Sequence, residues 1–241
     1  MFEALSLIFI HAISSEAPTL ETDPRYDTYK AGYVDLLNTD KKVIDESDDY
    51  LVNPDVDAFI LGTIQLFESR LRPNTKDGDC IHHYHKVGNE NVITTDCRSV
   101  GNMQISKGAV KWIQNIDHEN FKELTVNKLR TPETNTRVGY TLLKFFKSSC
   151  KSSLPGVWLT AFGEGHCPKN NQLDSEGIRR CAVLTASLNA NGTLPLNWRC
   201  GHEGKKMKDT TALKFIQKIG ELNKDGDQND SKDQVASSIK N

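Results

Sequence analysis

Asn53-Pro54-Asp55-Val56-Asp57-Ala58-Phe59-Ile60-Leu61-Gly62-Thr63-Ile64-Gln65-Leu66-Phe67-Glu68-Ser69-Arg70-Leu71 is the stretch on which the rest of the chain turns. Val56, Phe59, Ile60, Ile64, Phe67 and Leu71 recur at the spacing of one helix face. Asn53 is suited to cap that helix and Pro54 to its first position, while Asp55 and Asp57 suit its positive N-terminal end. Glu68 then stands near the end of an apolar run, with Leu61 and Ile64 seven and four residues before it on the same face. A carboxylate there loses hydration when charged. Its pKa is expected to rise, which keeps a proton available for donation.

Working downstream, residues 72–98 show no regular apolar period. Pro73, Lys76-Asp77-Gly78-Asp79 and Gly88-Asn89 supply turn chemistry, with Val92-Ile93-Thr94-Thr95 as one short strand. Helices are expected over Ile105–Ile116 and over Pro132–Ser149, the latter capped by Thr131. Shorter ones are expected over Val157–Phe162, ended by Gly163 and Gly165, over Asp174–Asn189, and over Thr210–Leu222. Upstream, residues 18–50 are polar and acidic, with one weak helical segment around Tyr26–Leu37. Residues 223–241 are polar enough to be a disordered tail.

A net charge of −2 on 241 residues gives no electrostatic case for nucleic acid as a partner. The apolar run Ala4–Ile13 is too short to span a bilayer, so no integral membrane segment is expected. Followed by small residues at Ser14–Ala17, it has the form of a signal peptide over residues 1–17, although Glu3 replaces the usual basic start. The six cysteines, Cys80, Cys97, Cys150, Cys167, Cys181 and Cys200, are even in number and contain no Cys-x-x-Cys. This favours a disulfide framework in a secreted or periplasmic setting, with Cys80–Cys97 the first bridge expected. His82, His83 and His85 read as solvated loop residues, and neither a metal nor a cofactor is expected. Arg179-Arg180 could meet carboxylates of a substrate, though a solvated helix face is the favoured reading.

The ordered motifs carry a family resemblance. Glu68-Ser69-Arg70 resembles the Glu-Ser motif of the soluble lytic transglycosylases, within the lysozyme-like superfamily. Ser99-Val100-Gly101-Asn102-Met103-Gln104-Ile105 resembles that family's Ser-x-Gly-Leu-Met-Gln-Ile. Asn135 with Gly139-Tyr140, and then Ala161-Phe162-Gly163-Glu164-Gly165, are similar to its two later elements. The resemblance spans about residues 53–188. Phe162 stands where the family has Tyr, Gly163 where it has Asn, and Asn102 where it has Leu. The interval from Glu68 to Ser99 is longer than the family's and holds both Cys80 and Cys97.

What the resemblance implies is a mainly α, lysozyme-like α+β domain with minimal strand content over residues 51–222. It implies a monomer acting on peptidoglycan glycan strands. The reaction would cleave the β-1,4 bond between N-acetylmuramic acid and N-acetylglucosamine. Glu68 would protonate the glycosidic oxygen and then deprotonate the muramic acid 6-hydroxyl, giving a 1,6-anhydro sugar. Ser99, Gly101, Gln104 and Phe162 would line the substrate cleft. The residue types suit this, since glycoside cleavage needs an acid at the leaving oxygen and an amide such as Gln104 both donates and accepts towards sugar hydroxyls. Two other readings stay open. One is a hydrolytic muramidase of goose-lysozyme type, using a water helped by Asp77, Asp79 or Asp96; Glu164 is a further candidate for a second carboxylate. The other is a non-catalytic glycan-binding module on the same fold.

Overall fold

The computed structural model describes residues 26–69, 77–88 and 90–201. The signal-peptide reading, the helix expected over Thr210–Leu222 and the C-terminal tail lie outside them. Helix α1 spans Tyr26–Asp45 and α2 spans Pro54–Ser69. A hairpin follows, of β1 (Asp77–Val87) and β2 (Glu90–Val100), and a two-residue strand β3 (Ile105–Ser106). After a 3-10 turn over Lys107–Ala109 come α3 (Val110–Ile116), α4 (His118–Phe121), α5 (Pro132–Ser149), α6 (Pro155–Glu164) and α7 (Ser175–Ala190). The fold is mainly α, with its strands in one antiparallel sheet of order β1-β2-β3.

Helix α2 is the axis of the core. Asn53 caps it through Oδ1, which accepts from the Val56 N–H (3.0 Å). Its sequence shows one apolar face, yet Val56 to Leu66 are buried all round, polar residues included. The reason is packing on several sides: α1 and α7 lie against it, and α5 reaches it through Tyr140 and Thr136. The polar groups taken inside carry their own partners. Asp57 accepts from the Leu51 N–H (2.7 Å), the Val52 N–H (2.9 Å) and the Tyr140 hydroxyl. Gln65 donates to Asp40 Oδ1 (2.8 Å). Each is a hydrogen bond that offsets desolvation. Leu37, Val43 and Ile44 of α1 join the same core as Phe59 and Leu61 of α2.

Three expectations are corrected here. Residues 77–100 form a paired hairpin and not an irregular loop with one short strand. The register runs from Asp77 opposite Val100 to Val87 opposite Glu90. Most of it faces water on both sides, so no period-two apolar pattern marks it in the sequence. The segment Ile105–Ile116 is not one helix. Ile105 pairs with Val100 as β3, and α3 begins only at Val110. Thr131 does occupy the N-cap of α5, but its hydroxyl donates to the Lys128 carbonyl (2.9 Å) instead of capping the helix N–H groups.

All six cysteines are paired, Cys80 with Cys97, Cys150 with Cys167 and Cys181 with Cys200. Cys80 and Cys97 face each other across the hairpin. Three disulfides are the chemistry of a chain that matures in an oxidising environment. No helix among the described residues is long and apolar enough to cross a membrane.

Candidate active site

Glu68 lies in the last turn of α2, with its side chain 20 % exposed. Leu61 and Ile64, the residues expected beneath it, are fully buried. Its Oε1 accepts from Nη2 of Arg180 (2.6 Å), which comes from α7, 112 residues away in sequence. Arg180 is buried and not on a solvated face, with its side chain 2 % exposed. The same Nη2 donates to Glu176 Oε1, one turn earlier on α7, and Nη1 donates to the Leu159 carbonyl (3.4 Å). The guanidinium also lies over the Phe67 ring, 5.7 Å from its centroid.

Burial is the strongest influence on Glu68 and pushes its pKa up. The Arg180 charge and hydrogen bond pull it down, and the charges of Glu176 and Asp79 push it up again; the outcome is a pKa above the ordinary carboxylate range. Glu68 therefore holds a proton more readily than an ordinary carboxylate, and a fifth of its side chain stays exposed.

The Ser99-to-Ile105 motif makes the tight connection from β2 to β3. Gly101 (φ +80°) and Gln104 (φ +48°) both take left-handed backbone, and the Gln104 N–H donates to the Gly101 carbonyl (3.1 Å). The Gln104 side chain folds over this turn. Its Oε1 accepts from the Ser99 hydroxyl (2.6 Å) and its Nε2 donates to the Gly101 carbonyl (2.7 Å). Gly78 of β1 must be glycine for this arrangement, since a Cβ there would sit 1.6 Å from Gln104 Oε1.

Helix α5 fixes the turn from behind. Asn135 accepts from the Met103 N–H (2.7 Å) and donates to the carbonyls of Val100 (2.8 Å) and Leu129 (2.9 Å), so one side chain satisfies three backbone groups. Gly101 and Gly139 keep the contact close. A Cβ on Gly101 would lie 2.2 Å from Asn135 Nδ2, and one on Gly139 2.3 Å from Met103 Sδ. Asn102 is buried and donates to Thr136 Oγ1 (3.0 Å).

The later motif forms the end of α6, closed by Gly165 with left-handed backbone (φ +74°). Phe162 is half-buried against the core, and Gly163 faces the Arg180 guanidinium. The structure thus joins Ser99, Gly101 and Gln104 to Asn135, and joins Glu68 to Arg180, Glu176 and the end of α6. The charge of Asp79, on β1, adds a small upward push to the Glu68 pKa. Asp77 is paired with Arg130 (3.1 Å), Asp96 lies farther out opposite Ile81, and Glu164 turns to His166. His82 bonds Thr95 (2.9 Å), and no group of three metal-ligating side chains is assembled among the described residues.

Glu176 is the site residue that sequence reasoning missed, and Arg180 is the one it placed on the wrong, solvated face. Their spacing of four on a helix was a usable signal, since it puts a carboxylate and a guanidinium on one face. No family model matches the chain, and neither a curated protein nor a solved structure does.

Proposed function

We propose that the protein is a peptidoglycan lytic transglycosylase of the lysozyme-like superfamily, secreted or periplasmic, that cleaves the bond between N-acetylmuramic acid and N-acetylglucosamine. The observation that carries the reading is Glu68: a carboxylate desolvated on an apolar helix end, which holds a proton more readily than an ordinary one, with a fifth of its side chain exposed. Protonated Glu68 donates to the glycosidic oxygen, and the C–O bond breaks through an oxocarbenium-like transition state. The resulting carboxylate takes the proton of the muramic acid 6-hydroxyl as that oxygen attacks the anomeric carbon. One acid–base residue then serves both steps.

The Ser99-to-Gln104 turn supplies the glycan contacts in this proposal. One Nε2 hydrogen and one Oε1 lone pair of Gln104 remain after its internal bonds, enough to meet a sugar hydroxyl or acetamido group. Gly101 lets the glycan approach the backbone, and Phe162 offers an apolar flank in place of a phenol. A second reading is hydrolysis of goose-lysozyme type, in which Asp79, whose charge pushes the Glu68 pKa up, steers a water.

Purified sacculi digested with the protein test both. Released muropeptides with anhydro ends, one water lighter than reducing ends, support the transglycosylase, and reducing ends support the hydrolase. Unchanged release by Glu68→Gln would sink both.

A further inference from the structure

Two carboxylates share one nitrogen in this site. Nη2 of Arg180 donates to Oε1 of Glu68 and to Oε1 of Glu176. The guanidinium is out of water, with Nη1 on the Leu159 carbonyl and Nε making no hydrogen bond, whereas the Glu176 side chain is 42 % exposed. With both carboxylates ionised the group would carry a charge of −1, and a proton on Glu68 makes it neutral. An arginine facing Glu68 alone would favour the ionised carboxylate, which has no proton to give. A second carboxylate on the same nitrogen divides that attraction, and its own charge opposes a second negative charge beside it.

We propose that Arg180 and Glu176 are positioning residues for Glu68, one buried guanidinium being held between the two carboxylates so that Glu68 is oriented by Arg180 without being fixed as its full ion pair. The proposal rests on the reading of Glu68 as the acid–base residue. As Glu68 gives its proton to the leaving oxygen it becomes a carboxylate, and its bond from the Nη2 of the guanidinium becomes an ion pair when the site needs it. When Glu68 recovers a proton from the attacking hydroxyl, the Nη2 bond relaxes towards Glu176. No proton passes through Arg180 or Glu176.

The charged groups acting on Glu68 are Arg180 and Glu176 from α7 and Asp79 from β1, and α6 presents the Leu159 carbonyl to the same guanidinium. The two α7 charges act with opposite sign. Arg180 lowers the Glu68 pKa and Glu176 raises it, so their removal must move Glu68 in opposite directions.

The test uses the full chain and two readouts: a carboxyl carbon NMR titration of Glu68, and the pH–rate profile for muropeptide release from sacculi. Glu176→Gln is expected to lower the Glu68 midpoint by about one pH unit or more and to bring the alkaline limb of the profile down with it. Arg180→Met is expected to move both upward. If Arg180→Met does not fold, Glu176→Gln decides alone, because its side chain is half-exposed and its loss leaves Arg180 paired with Glu68. A Glu68 midpoint that stays in place or rises in Glu176→Gln overturns the proposal. The titration needs no turnover, so this outcome is distinct from the failure of the functional reading, which would appear as full muropeptide release by Glu68→Gln.

Discussion

Glu68 and Asp40 are two carboxylates on neighbouring helices that burial pushes towards the neutral form, and they are built for different ends. Asp40, on α1, is 1 % exposed, and its pKa rises from an ordinary 3.8 to about 7. Burial is the main cause, and only neutral partners oppose it: Gln65 Nε2 at 2.8 Å and Thr136 Oγ1 at 3.2 Å. Asp40 Oδ2, Gln65 Oε1 and Asn102 Oδ1 make no hydrogen bond within the protein. All three are acceptors, so a proton on Asp40 supplies the donor this cluster lacks. Glu68 has a cation at 2.6 Å and a fifth of its side chain open to solvent. The difference teaches that a raised pKa does not by itself identify a catalytic acid. A proton must also have somewhere to go and a charge waiting for the anion it leaves behind. Asp40 has neither, and its proton is part of the packing.

The largest effect that can break this contrast is on turnover. Glu68→Gln is expected to cut muropeptide release by about 10²–10⁴-fold, while Asp40→Asn leaves it within about twofold of the wild type. Equal losses in the two variants would erase the distinction. Stability against pH comes next, and here Asp40 dominates. Between pH 4 and about 7 the folded protein keeps an Asp40 proton that the unfolded chain has already lost. Stability from this group is complete below pH 4, falls as pH rises through the window, and is gone above it. The loss amounts to roughly 4 kcal/mol. Asp40→Asn keeps Oδ1 as an acceptor and adds a permanent donor. Urea midpoints should therefore show the variant more stable than the wild type at pH 8, with the gap closing by pH 4.

Thr136→Val sharpens the same comparison at smaller scale. It removes the hydroxyl that donates to Asp40 and accepts from Asn102. A cost of about 1–3 kcal/mol is expected, measured by denaturant unfolding at pH 5, with turnover unchanged. Smallest is the pH dependence that Glu68 adds to stability. Its folded pKa is also raised, so its contribution likewise falls as pH climbs through that pKa. Arg180 opposes the shift, which makes the slope removed by Glu68→Gln shallower than that removed by Asp40→Asn. A steeper slope for Glu68 would mean that Arg180 does not compensate it.

Much of the helical body could be read from local pattern. Helix α5 begins and ends at Pro132 and Ser149 as expected, α2 is capped by Asn53, and Asp174 caps α7 by accepting from the Gly177 N–H (2.6 Å). Met103, Ile105 and Trp158 are buried in the core. Cys80–Cys97 was legible because two cysteines flanked one stretch of turns. The hairpin around them was not. Tyr84 and Ile93 face each other while both remain exposed, and His83 and Thr94 do the same on the opposite side, so neither face of the arm has a buried apolar row to betray it. In the candidate site, Glu68 on its apolar face and the Ser99-to-Gln104 turn were visible. Arg180 was misjudged because helix spacing tells which residues share a face but not what covers that face.

The sequence by itself determined what depends on neighbours three or four residues apart. That includes the limits of α5, the Asn53 cap of α2, and the placement of Glu68 above Leu61 and Ile64. Only the tertiary structure decided which charges meet. Arg180 reaches Glu68 across 112 residues, and Thr136 reaches Asp40 across 96. The reason is physical: desolvation and ion pairing depend on everything packed around a group, and those surroundings come from distant parts of the chain. The apolar helix end made Glu68 a carboxylate with a raised pKa. The fold gave it Arg180 and Glu176, and with them the geometry from which an acid–base role is proposed.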